Sequence, residues 1–258
     1  MLGKSKDEDI DDTRDLLPFD GTKDSFFFSL MSKAEAAEVD IESAQFKNVN
    51  FTYEDTNINA LQNVSFSINK GETLAILGKT GSGKSTILSL LTRMYDCKRG
   101  EILIDGQAIS KVNLFDLRNS IGIVPQDAFL FSDSIKNNIK FGKESATDDE
   151  VMEAAKNAVV HDNIVQFKNQ YETILGERGI TISGGQKQRV SIARAIIKNP
   201  EILLFDDCLS AVDTETEEQI LNNLLESEYV FWVLLLFELV FVCCVKISPK
   251  SLKKFPLL

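Results

Sequence analysis

Gly78-Lys79-Thr80-Gly81-Ser82-Gly83-Lys84-Ser85 fits the pattern G-x-x-x-x-G-K-[ST]. Its glycines allow backbone N–H groups to wrap around phosphate oxygens that a Cβ would hold off. Lys84 is placed to reach the β- and γ-phosphates of a nucleotide, and the hydroxyl of Ser85 suits Mg²⁺. A second set of groups closes the apolar run Glu201-Ile202-Leu203-Leu204-Phe205-Asp206-Asp207. Asp206 can orient Mg²⁺ through its waters, and Asp207 can face an attacking water. The chemistry implied is binding, and then cleavage, of a nucleoside triphosphate.

These groups need elements to position them. Thr73-Leu74-Ala75-Ile76-Leu77 reads as a buried strand, and Thr86-Ile87-Leu88-Ser89-Leu90-Leu91 continues the loop as a helix with an apolar face. The helix start adds free N–H donors and a partial positive charge. The run ending at Asp206 reads as a parallel strand whose carboxyl end faces the same crevice. Upstream, Gln45 to Tyr53 and Val64 to Ile68 read as strands of an antiparallel sheet beside the nucleotide. Tyr53 could stack on a purine or could be core, and the residue alone leaves both open. Glu101 to Gly106 reads as a strand and turn, and Ile121 to Gln126 as a strand that Pro125 ends. A helix is expected from Asp148 to Val159, starting at Thr147-Asp148. His161, the single histidine, then reads as a surface or helix-end residue. Ser183-Gly184-Gly185-Gln186 opens a helix that runs to about Lys198 and stops at Asn199-Pro200. That start is either a second anion-binding nest or a simple capped helix.

Composition narrows the partners. The net charge is −11 and no basic stripe occurs, which argues against nucleic acid. Cys97, Cys208, Cys243 and Cys244 match no metal-site spacing and read as free thiols of a cytosolic setting. Residues 1–40 read as an acidic, flexible tail. Its patch Ser25 to Met31 reads as a docking helix or, in preference, as part of the tail, and is too short for the roughly 20 apolar residues a bilayer needs.

The motifs, taken in order, resemble the nucleotide-binding domain of an ATP-binding cassette (ABC) transporter over residues 41–228. Tyr53 matches the adenine-stacking aromatic, Gly78 to Ser85 with Thr86 the Walker A region, and Gln126 the Q-loop glutamine. Ser183-Gly184-Gly185-Gln186 matches the family signature, with Ile182 where Leu is usual. Ile202 to Asp207 matches Walker B, and Ser210-Ala211-Val212-Asp213 the D-loop. Leu117-Arg118, Leu130-Phe131 and Gly176-Glu177-Arg178-Gly179 are similar to exporter-type cassettes.

The resemblance implies an α/β fold: a P-loop NTPase-type sheet, an antiparallel β subdomain and a helical signature subdomain. It implies ATP and Mg²⁺ as ligands. Ser85, Gln126 and Asp206 would surround the metal, and Asp207 and Gln126 would act in hydrolysis. Asp213 and the signature would meet nucleotide across a dimer with a second cassette, in a homodimer or a heterodimer. ATP-driven closure would move transmembrane domains, expected on another chain, at the cytoplasmic face of the cell membrane.

Two departures stand out. Asp207 replaces the usual catalytic glutamate. No histidine follows the helix Thr214 to Glu226, where the family carries its switch histidine. Residues 229–258 form an atypical hydrophobic tail, and the last strands of the sheet are unaccounted for. The tail reads as a membrane segment, as a strand filling the gap, or as foreign sequence from a frameshift or truncation. The abrupt change after Glu228 favours the third.

Overall fold

The computed structural model describes residues 41–176, 182–226, 232–237 and 252–254. All belong to the compact unit Glu38–Leu258. The expected tail 1–40 and the motif residues Glu177, Arg178 and Gly179 lie outside the described residues.

Strand β1 (Ser43–Thr52) pairs antiparallel with β2 (Asn59–Asn69). Ala44 and Phe46 are buried, then Val49 and Phe51, so the inward phase changes from even to odd numbers. The change falls on a bulge between Phe46 and Val49, where Asn48 adopts a φ of 49°. Ser65 fastens the bulge by accepting the Asn48 N–H at 2.8 Å. Phe46 and Phe66 face each other across the pair with rings stacked at 4.4 Å.

The phosphate-loop strand β3 (Thr73–Leu77) and helix α1 (Lys84–Leu91) follow. Then come β4 (Arg99–Ile104) and β5 (Gln107–Ala108). Asp105 and Gly106 join these two strands with φ of 50° and 75°, the pair of left-handed residues a two-residue hairpin demands. The first sheet has the order β2-β1-β4-β5.

Helix α2 (Leu114–Asn119) leads into β6 (Ile121–Val124), and among the described residues the α-helices α3 (Ile135–Lys140), α4 (Asp148–Asn157), α5 (His161–Val165) and α6 (Gly184–Ile196) follow. Helix α4 begins as its sequence requires. The Thr147 hydroxyl accepts the Glu150 N–H at 3.2 Å, and Glu150 reaches back to the Thr147 N–H at 2.6 Å. Strand β7 (Ile202–Asp206) and α7 (Thr214–Glu226) come next.

Strand β7 divides the hydrophobic interior. Ile202 and Leu204 pack with the β1, β3 and α1 side chains, whereas Leu203 and Phe205 pack with α3, α4, α6 and α7. A parallel strand buried on both faces reads as an unbroken apolar run for this reason.

The structure corrects the expectation of missing strands. Trp232–Phe237 forms β8, which pairs in parallel with β3 on one side and β7 on the other. Leu252–Lys254 forms β9 on the far side of β3. The second sheet is wholly parallel, with order β6-β7-β8-β3-β9. The physical reason lies in the composition of 232–237: an uninterrupted apolar run rich in β-formers suits a central parallel strand. The remainder of 229–258, Glu238 included, lies outside the described residues. Among the described residues no helix is long and apolar enough to cross a membrane.

Basic side chains tie the helices together through carbonyl groups. Arg118 donates to the carbonyls of Thr92 and Arg93, both at 3.1 Å, at the end of α1. Lys198, beyond α6, donates to the carbonyls of Arg118 and Ile121. Burial pushes the Lys198 ammonium down to about 8 from 10.5. Between those values the unfolded chain holds a proton that the folded chain has released, so stability rises with pH across that window. The gain is lost as pH falls through the folded value. Lys198→Met removes this titration. Denaturant unfolding of both proteins at about pH 7 and about pH 10 should show the parent gaining stability relative to the variant; parallel behaviour would exclude the effect.

Candidate functional site

The loop between β3 and α1 is built on its glycines. Gly81 and Gly83 have φ of 82° and 90°, and a Cβ at Gly83 would stand 2.3 Å from the Ala60 carbonyl oxygen. A Cβ at Gly78 would stand 2.4 Å from Ser82 Oγ. The loop therefore presents backbone where side chains would otherwise stand. Lys84 is buried, and its Nζ donates to the carbonyls of Gly78 at 2.8 Å and Lys79 at 3.1 Å. Gly83 caps α1 without a side-chain hydrogen bond, and no acidic residue stands in the first turn. The helix start thus keeps its positive end for an anion. Ser82 Oγ is buried with no hydrogen-bond partner. A lysine, a hydroxyl without a partner and an uncapped helix start around a Cβ-free cradle fit a polyphosphate.

The two motifs expected to share magnesium meet. Ser85 Oγ donates to Asp206 Oδ1 at 3.1 Å, across 121 residues of sequence. A hydroxyl and a carboxylate are oxygen donors of the kind Mg²⁺ takes. Among the described residues no group of three His, Cys, Asp or Glu side chains could hold a metal alone. Asp207 follows β7 in the left-handed region, φ 47°, with the Ser210 hydroxyl on its carbonyl at 2.9 Å. Short polar side chains tolerate that conformation best.

Tyr53 is half-buried, and its hydroxyl lies 3.0 Å from Thr86 Oγ1 at the start of α1. Its ring borders a cleft of about 740 Å³. Gln126 is exposed just beyond β6, and its carbonyl accepts from Gln188 Nε2 of α6.

The Ser183 start of α6 is a capped helix: its hydroxyl accepts the Gln186 N–H at 3.2 Å, and Gln186 Oε1 accepts the Ser183 N–H at 3.0 Å. Gly184 has open space where a Cβ would stand, and a Cβ at Gly185 would lie 3.0 Å from the Ala211 carbonyl oxygen. Asp213 accepts the Thr216 N–H at 3.0 Å in the first turn of α7, and that bond holds its carboxyl below the usual range.

Sequence reasoning passed over Gln188 and Arg194. Gln188 is only 5% exposed, yet it reaches the Gln126 carbonyl. The one signal was a polar residue a helical turn before buried Ile192. Arg194 donates to the carbonyls of Asn138 (2.8 Å) and Phe129 (2.7 Å) and lies over the rings of Phe131 and Phe141. It fastens the segment after Gln126 to α6.

Strand, glycine loop and uncapped helix, with a carboxylate strand brought alongside, define a phosphate-loop nucleotide-binding domain. The ABC transporter family model matches residues 61–210. The chain belongs to the ABC transporter family. It is 52% identical over 180 residues to ATP-binding cassette sub-family B member 6 of Xenopus tropicalis, covering 70% of this chain and 21% of that protein. It is 51% identical over 178 residues to the ABC transporter ATP-binding protein YfiB of Bacillus subtilis, covering 69% of this chain and 31% of that protein. Among solved structures, a bacterial Atm1-family ABC exporter with ATP bound superposes with a TM-score of 0.74 at 41% identity. That match covers 84% of this chain and 39% of the exporter. The chain thus spans about a fifth to a third of the curated relatives' length.

Proposed function

We propose that this chain is the ATP-binding and ATP-hydrolysing motor domain of an ABC exporter. The observation that carries the reading is the Ser85–Asp206 hydrogen bond, which sets the two magnesium motifs against one phosphate cradle. In this reading Gly78 to Thr86 hold the phosphates and Tyr53 stacks on adenine. Ser85, Asp206 and Gln126 surround Mg²⁺, whose bound form would neutralise charge on the phosphate oxygens. Asp207 and Gln126 orient the attacking water. Ser183 to Gln186 and Asp213 face the nucleotide of a second cassette. Closure of that dimer, homo- or heteromeric, drives membrane-spanning domains from the cytoplasmic side. The exporter with ATP bound and the similarity to a sub-family B protein support the exporter branch. The shorter carboxylate of Asp207, held at a φ of 47°, favours a second reading as a hydrolysis-poor half-site.

Magnesium dependence tests the reading. ATP binding by the parent chain should strengthen at least about tenfold when Mg²⁺ is added, and Asp206→Asn should remove most of that gain. Titration calorimetry with and without a chelator reads both. Equal ATP affinity in the two conditions, with parent and variant alike, would reject the assigned magnesium site.

A further inference from the structure

The aromatic ring expected to carry a base is itself held by two others. Phe51 meets Tyr53 edge-to-face at 4.9 Å and 89°, and Tyr95 meets it at 5.3 Å and 89°. Tyr95 also lies 5.5 Å from Phe51, closing a three-ring cluster. Tyr53 has its hydroxyl on Thr86 and these two perpendicular rings around it, so its plane has little freedom to tip. Phe51 is buried, whereas Tyr95 is 47% exposed and lines the same cleft as Tyr53.

Tyr95 is no loose surface residue. It follows the last turn of α1, where Met94 N–H donates to the Ser89 carbonyl at 2.8 Å. The carbonyls of Thr92 and Arg93, just before it, are both taken by Arg118. The helix that starts at the phosphate loop therefore ends by delivering a ring against the base platform. Edge-to-face contact favours the perpendicular arrangement and resists others.

We propose that Tyr95 is a positioning residue for nucleotide-base recognition, holding the Tyr53 ring at the angle at which a purine stacks. The proposal rests on the assignment of Tyr53 made above. It separates base recognition from phosphate recognition: Tyr95 acts on the first and leaves the second alone.

The test compares ATP with inorganic triphosphate, which has no base, by calorimetry on the full chain with Mg²⁺. Tyr95→Ala should weaken ATP binding about 2- to 10-fold, the range of one aromatic pair, and leave triphosphate binding unchanged. Tyr95→Phe should retain the parent affinity for ATP. In a Tyr53→Ala background, Tyr95→Ala should have no further effect, because the two act as one unit. Unchanged ATP affinity in Tyr95→Ala overturns the proposal. Equal losses for ATP and triphosphate overturn it by showing a general structural role, and additive losses overturn it by giving Tyr95 its own contact. If the folded parent binds triphosphate and not ATP, both the base platform and its support fall. If the parent binds ATP and only the Tyr95 results fail, the assignment of Tyr53 stands.

Discussion

Lys84→Ala is expected to weaken Mg²⁺·ATP binding by about 10- to 100-fold, because hydrogen bonds to charged groups contribute about 1.5–3 kcal/mol. The ammonium already lies inside the loop on the carbonyls of Gly78 and Lys79, and among the described residues it makes no ion pair. A phosphate would supply the opposite charge to a cation already in place. The same variant separates binding from folding. Without ATP its thermal midpoint reads the cost of losing the two carbonyl contacts alone. With ATP the parent should gain stability by mass action and the variant should not. Equal ATP affinity in parent and variant would remove the phosphate loop from the site.

The other large effect is expected at Asp207. Phosphate release by the parent should be slow, because its carboxylate is one methylene shorter than the family's glutamate. A positioned base is typically worth about 10²–10⁴-fold, so Asp207→Glu should raise the steady-state rate at least about tenfold. It should do so at some cost in stability, because glutamate tolerates a φ of 47° less well than aspartate. Asp207→Asn should abolish any residual rate while leaving ATP affinity within about twofold. Brisk turnover by the parent that Asp207→Asn leaves intact would take Asp207 out of the reaction.

Much of the site was legible because it is local. Eight consecutive residues specify the loop, and the strand Thr73–Leu77 and helix Thr214–Glu226 carry the expected bounds. The antiparallel pairing of β1 and β2 followed from their alternation and proximity. What the sequence concealed is either short or distant. Helices α2 and α3 have six residues each, too few to show a 3.6-residue period, and only their Asn113 and Ser134 caps mark them. The Gln188–Gln126 link joins residues 62 apart, and no local pattern encodes it. Alternation in β1 was blurred because the bulge at Asn48 moves the inward phase by one residue. The final strands were hidden by composition: a central parallel strand and a membrane-seeking or foreign segment are written in the same apolar alphabet. Asp213, named from its place in the D-loop, caps the start of α7 through the Thr216 N–H.

The place of β8 also bears on how the molecule comes into being. Without it the parallel sheet is two separate pieces, β6 with β7 and β3 with β9. On a ribosome the phosphate-loop strand emerges about 160 residues ahead of its neighbour Trp232–Phe237, a separation of the kind that slows folding. Until then both β3 and β7 carry unpaired backbone edges, the kind of surface that chaperones cover and that otherwise pairs with stray chains. The sheet that carries the phosphate loop is therefore joined by residues that contribute no motif to it.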